Sequence, residues 1–146
     1  MNPSIQIIQD KKHLESTAYV EILPGPYKDE CWNEGSLFLD EESFGFLERV
    51  IKRNVPEYDH YAFTKVEKRA WEQIITELNT LLQQVRHAQT TSDFAEDVYF
   101  YFKTTEADFQ AEFETNRKRL ERLIGEFRDW VSSRLETEKV ITVLGL

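Results

Sequence analysis

A single cysteine, Cys31, stands in the 146 residues, so no internal disulfide can form. A reducing, cytoplasmic setting is the simplest reading of that scarcity. Long apolar runs are also missing, which excludes a transmembrane helix, and the stretch from Met1 to Asp10 lacks the basic leader and apolar block of a secretory signal. The three histidines, His13, His60 and His87, lie far apart, with no HExxH, paired CxxC or His-x-His spacing to preform a zinc site. There is no GxSxG elbow, no GxGxxG and no phosphate-cradling glycine loop. Of the five glycines, Gly25, Gly35 and Gly145 fall at turns or the chain end, and Gly45 and Gly125 fall inside predicted helices. Cys31 is flanked by Glu30, which raises a thiol pKa and makes a poor nucleophile. No catalytic residue, cofactor or metal ligand is therefore assigned.

Negative charge is what the chain has in quantity, with a net formal charge of −9. It is concentrated in two belts. From Pro26 to Glu48 there are seven carboxylates and one lysine, and from Thr91 to Asn116 the count is the same. The remainder is slightly basic. Such belts disfavour direct binding to nucleic acid, whose phosphates call for Lys and Arg, and favour a basic protein partner. Hydrophobic content of 40% with 13% aromatics is enough for a packed interior, and the length suits one domain, 1–146.

Periodicity then divides the chain. Ile5 to Ile8 and Ala18 to Leu23 read as short strands, and Pro24, Gly25 and Pro26 end the second one. A loop from Tyr27 to Ser36 carries Trp32 among charges, where it either packs over one edge of the core or meets a partner. Asp40 is an N-cap with Glu41 and Glu42 in the first turn, Phe44, Leu47 and Ile51 follow at helical spacing, and Pro56 closes the helix. Tyr58 to Phe63 is ambiguous between strand and turn. Thr64 to Glu67 has the form of a capping box, which predicts a helix starting there, with Trp71, Ile74, Ile75, Leu78, Leu81, Leu82 and Val85 on its apolar stripe. Phe94, Val98, Tyr101 and Phe102 fit a helical face better than a strand. From Thr105 to Leu135 the apolar residues recur every three or four positions, predicting one long helix, and Val140 to Leu144 is a terminal strand. The expectation is an α+β fold: three main helices (about 41–54, 65–87 and 106–136) packed on a small, mostly antiparallel sheet made by the N-terminal strands and the C-terminal strand.

The segments FLDEESFGFLERV, YDHYAFTKVEKRAWEQIITEL, FQAEFETNRKRLERLIGEFRDWV and KVITVLGL, in this order, resemble a group of small acidic bacterial proteins of immunity type. These are the cognate inhibitors encoded beside polymorphic toxins of contact-dependent or secreted systems. The resemblance covers most of the chain from Leu37 on and implies a role without chemistry, namely binding a basic toxin domain in the cytoplasm and blocking its active site. Aromatic anchors amid carboxylates suit that role, so the expected partner-binding residues are Trp32, Tyr58 and Tyr61 with Asp29, Glu30, Glu34, Glu57 and Asp59. The acidic set Asp93, Glu96 and Asp97 is added, although helix capping and dipole compensation explain most of it. Two alternatives stay open. One is a small enzyme using clustered carboxylates or a metal near Asp59 and His60, and the other is a homo-oligomeric adaptor that joins copies through Tyr99 and Phe100.

Overall fold

A computed structural model describes residues 2–146. Among them, four strands form one antiparallel sheet and four α-helices pack with it, the expected α+β class. The strands are β1 (Tyr19–Pro24), β2 (Leu37–Asp40), β3 (Phe63–Glu67) and β4 (Val140–Leu144), in the spatial order β2-β1-β4-β3. The helices are α1 (Glu41–Asn54), α2 (Lys68–His87), α3 (Thr105–Ala111) and α4 (Phe113–Arg134). The terminal apolar run is thus an interior strand. It pairs with β1 from Glu21↔Leu144 to Pro24↔Ile141 and with β3 from Phe63↔Leu144 to Glu67↔Val140.

Side chains alternate across the sheet. Val20, Ile22, Leu37, Leu39, Val66, Ile141 and Val143 join a core shared with the helices. Trp71 in the first turn of α2 locks helix to sheet by donating its indole N–H to the Ile141 carbonyl at 3.0 Å. Asp40 caps α1 as expected, its carboxylate accepting from the Ser43 amide at 2.8 Å.

Four local expectations are corrected. Residues Thr64 to Glu67 do not open a helix. The ladder with β4 holds them extended, with Thr64 and Val66 buried and Phe63, Lys65 and Glu67 outward, so α2 begins only at Lys68. The long helix is broken at Glu112, which has φ −126° and ψ 53°. No proline or glycine marks that break. It lets Phe109 turn into a cluster with Phe46, Phe94, Phe100 and Phe113, each ring 5.7–6.0 Å away. Asn116 secures the junction by donating to the Phe109 carbonyl at 3.2 Å. Residues 94–102 are no helix either. Short 3₁₀ turns at Thr91–Asp93 and Ala95–Asp97 lead into irregular chain, which docks on α1 where the Tyr99 amide donates to the Gly45 carbonyl at 2.9 Å. Finally, Ile5 to Ile8 makes a single bridge, Ile8↔Phe38, instead of a strand, because Ser4 and Gln6 are tied to Asp40, Glu42 and Ser43 at the start of α1.

The two helical glycines should respond oppositely to alanine. Gly125 in α4 has open space around it, so Gly125→Ala should stabilise by about 0.5–1 kcal/mol through helix propensity. At Gly45 a Cβ would run into the Tyr99 carbonyl, so Gly45→Ala should destabilise by about 1–3 kcal/mol despite the same propensity gain. Denaturant midpoints of the two variants check both signs.

Candidate functional site

Two carboxylates of α1, Glu41 and Glu48, lie seven residues apart and therefore on one face of the helix. The turn after α1 delivers His60 between them. His60 Nε2 lies 2.9 Å from Glu41 and Nδ1 bonds to Glu48, which also accepts from the Tyr58 hydroxyl at 2.7 Å. The imidazole stacks on Tyr101, with ring centroids 5.6 Å apart and planes 17° from parallel, and meets Tyr61 edge-on at 4.8 Å. Burial pulls its pKa down, but the hydrogen bonds and charges of Glu48 and Glu41 outweigh it and hold the pKa above the usual histidine value. A doubly donating imidazolium satisfies both carboxylates, whereas a neutral ring has one donor for two acceptors. Both ring nitrogens are engaged, so the group is a clamp between α1 and the 58–62 turn, with no free nitrogen for base chemistry or a metal. Among the described residues, no cluster of three or more His, Cys, Asp or Glu has the geometry to hold a metal ion. Hydrogen bonding to Glu41, then burial, raises the Tyr101 phenol, and burial followed by the bond to Glu48 raises that of Tyr58.

The Tyr27–Ser36 loop is organised by a buried acid that the sequence reading passed over. Glu21 on β1 is 2% exposed and accepts four bonds, from the Trp32 amide (2.6 Å), the Asn33 amide (3.0 Å), Asn33 Nδ2 (3.0 Å) and the Ser36 hydroxyl (2.6 Å). Satisfying that carboxylate holds Trp32 at φ 62° and sets its ring edge-on to Tyr19, 6.5 Å away. Beside it opens a groove of about 910 Å³, walled by Tyr19, Trp32, Tyr61, Phe63 and Tyr101, with Glu41 on its rim. The surface around it is rich in exposed rings. Tyr61 is 71% exposed, Phe63 46% and Phe102 50%, while the Tyr27 ring packs at a tilt against Phe63 with centroids 4.9 Å apart.

The expected partner-binding residues do not form one patch. Trp32 and Tyr61 share the groove. Glu30 and Glu34 line an adjoining hollow, which shares Cys31 and Trp32 with the groove, together with Lys11, Lys12 and Lys28, and Glu34 pairs with Lys11 at 3.5 Å. Asp29 and Glu57 are exposed, and Asp59, also exposed, accepts from the Tyr61 amide at 2.8 Å. Tyr58 is 3% exposed and belongs to the core, with its hydroxyl held by Glu48. Asp93 serves as a cap, its pKa lowered by the Gln89 and Thr90 amides. Glu96 is exposed, with only its backbone carbonyl held by Arg49, and Asp97 pairs with Arg53 at 3.0 Å, so a cation of α1 offsets one carboxylate of the second acidic belt. Cys31 is exposed at the groove, and burial together with Glu21 raises its thiol pKa. Tyr19, Glu41, Phe63 and Tyr101 were not expected here. Outward alternation would have found Phe63 had β3 been recognised, whereas Glu41 was already explained by helix capping. No family model matches the chain, and comparison with curated proteins and with solved structures finds no match.

A raised folded-state pKa makes the His60 contribution fully present below the unfolded value of about 6.5 and lost as pH climbs through the folded value. The stability difference between the wild type and His60→Gln should therefore be largest near pH 6 and shrink by pH 9 in urea titrations. A difference constant over that range would show that His60 is not held as an imidazolium. Glu21→Gln puts an NH₂ against donors in a buried site and should destabilise by about 1.5–3 kcal/mol, with Trp32 fluorescence shifting red as the loop loosens.

Proposed function

We propose that this chain is a non-enzymatic binding protein that covers a basic site on another protein, acting as an immunity protein toward a toxin domain in the cytoplasm. The observation that carries the reading is the set of exposed aromatic side chains, Tyr27, Tyr61, Phe63, Tyr99 and Phe102, beside a groove with a carboxylate rim. A monomeric surface gains nothing by exposing several large rings together, while an interface uses such rings as anchors. The net charge of −9 supports a basic partner by steering its approach. Of the residues expected to bind, Trp32, Tyr61 and Asp59 remain in the proposed face, and Tyr99 and Phe63 join it. Glu30 and Glu34, facing lysines, are placed at its margin.

Capture with the tagged full chain from the source cells should retain a basic protein at low salt. With that protein purified, the association rate should fall at least about tenfold between roughly 50 and 500 mM salt, as exposed charges are screened. Retention of only acidic proteins, or a rate indifferent to salt, would overturn the electrostatic reading.

A further inference from the structure

We infer that the groove between Trp32 and Tyr61 receives an arginine side chain presented by an extended segment of the partner. The inference rests on the binding function proposed above and specifies the chemistry of its central contact. Five aromatic residues wall the groove, and the charged side chains lining it are two carboxylates, Glu21 in its wall and Glu41 at its rim. Among the described residues, no lysine or arginine lines it. Four other hollows on the surface each carry at least two, for example Lys118, Arg119 and Arg122 beside Ile5 and Ile7, or Arg49, Lys52 and Arg53 beside Glu96. The polarity of the groove is therefore local and is not a sample of the whole surface.

The character of the two acids matters. Among the described residues, the donors to Glu21 are neutral, so its negative charge is spread over amide and hydroxyl dipoles and not cancelled by a cation. Glu41 shares the single His60 cation with Glu48. The groove thus offers negative potential behind ring faces, which attracts a cation and repels phosphate or carboxylate ligands. Between the two cationic side chains the walls select arginine. A guanidinium is planar and weakly hydrated, and it stacks on rings, whereas an ammonium is a compact, strongly hydrated charge that loses more on entering an aromatic slot. At about 910 Å³ the groove has room for the side chain together with flanking backbone.

The test uses the full chain, labelled with ¹⁵N, and capped tripeptides Gly-X-Gly in which X is arginine, lysine or citrulline. The indole N–H of Trp32 is the reporter, and the buried indoles of Trp71 and Trp130 are internal controls. The arginine peptide should give a saturable shift at Trp32 and at the Gly145 amide, at least about threefold tighter than lysine, with citrulline inert because it keeps the shape and loses the charge. Tyr61→Ala should weaken the arginine peptide about fivefold, and Tyr61→Phe, which keeps the ring, should restore it. Citrulline binding as well as arginine, shifts confined to residues outside the groove, or a Tyr61→Ala affinity equal to wild type would each overturn the inference. If arginine fails at the groove but a captured basic partner binds Tyr61→Ala as tightly as wild type, this inference falls and the binding function stands. Arginine binding at Trp32 with no basic partner captured would support the groove chemistry and remove the proposed function.

Discussion

Strand β4 is hydrogen-bonded along both edges, to β1 through Leu23↔Thr142 and to β3 through Thr64↔Val143. Its backbone donors and acceptors are thereby satisfied in an interior where unpaired ones would be costly. Much else depends on this insertion. It draws residues 63–67 out of the helix their capping pattern favours, and it places Ile141, whose carbonyl takes the Trp71 indole of α2, and Val143 in the core shared with the helices. It also carries Gly145 and Leu146 along the turn at residues 60–62, where their amides donate to the Ala62 and His60 carbonyls at 2.9 and 3.0 Å. A side chain at Gly145 would collide with those same carbonyls, so the close approach requires glycine. The turn that positions His60 and Tyr61 is thus held from below by the end of β4.

From above, the same turn is held by α1. Glu41 and Glu48 grip His60, Glu48 takes the Tyr58 hydroxyl, and Lys52 donates to the Tyr58 carbonyl at 2.8 Å. Tyr101 reaches this cluster because the 94–102 segment crosses α1 at Gly45, the point where a helix lacking a Cβ admits another backbone. The candidate binding face therefore sits on supported structure. Tyr61 and Phe63 project from a turn and a strand edge whose backbone is pinned by β4 and α1, and pre-organisation of this kind lowers the entropy lost on binding.

Period and capping made much of the fold legible. Asp40 with Phe44, Leu47 and Ile51 identified α1, the stripe from Trp71 to Val85 identified α2, and the β-branched run from Val140 identified β4. The failures share a cause. Thr64 to Glu67 satisfy a helix cap on local terms but are recruited by a strand that follows them by more than seventy residues. The break at Glu112 exists so that Phe109 can enter an aromatic cluster drawn from α1, the 94–100 segment and α4, and no local residue announces it. At the site, Trp32 and Tyr61 were legible as aromatics set among charges. Tyr58 was not distinguishable from them, because only tertiary packing separates a buried tyrosine from an exposed neighbour.

The sequence by itself determined the class of the fold, the acidity, the absence of known catalytic motifs and most helix positions, since each follows from composition or from neighbours within about a turn. Tertiary structure alone decided which charges are available. Asp97 and Glu34 meet cations supplied by distant segments, and Glu21, one of twenty-seven acidic residues in the chain, becomes the buried post that organises a loop. Charge and aromaticity are properties of residues, but their availability to a partner depends on what the fold sets against them, which a linear chain does not specify.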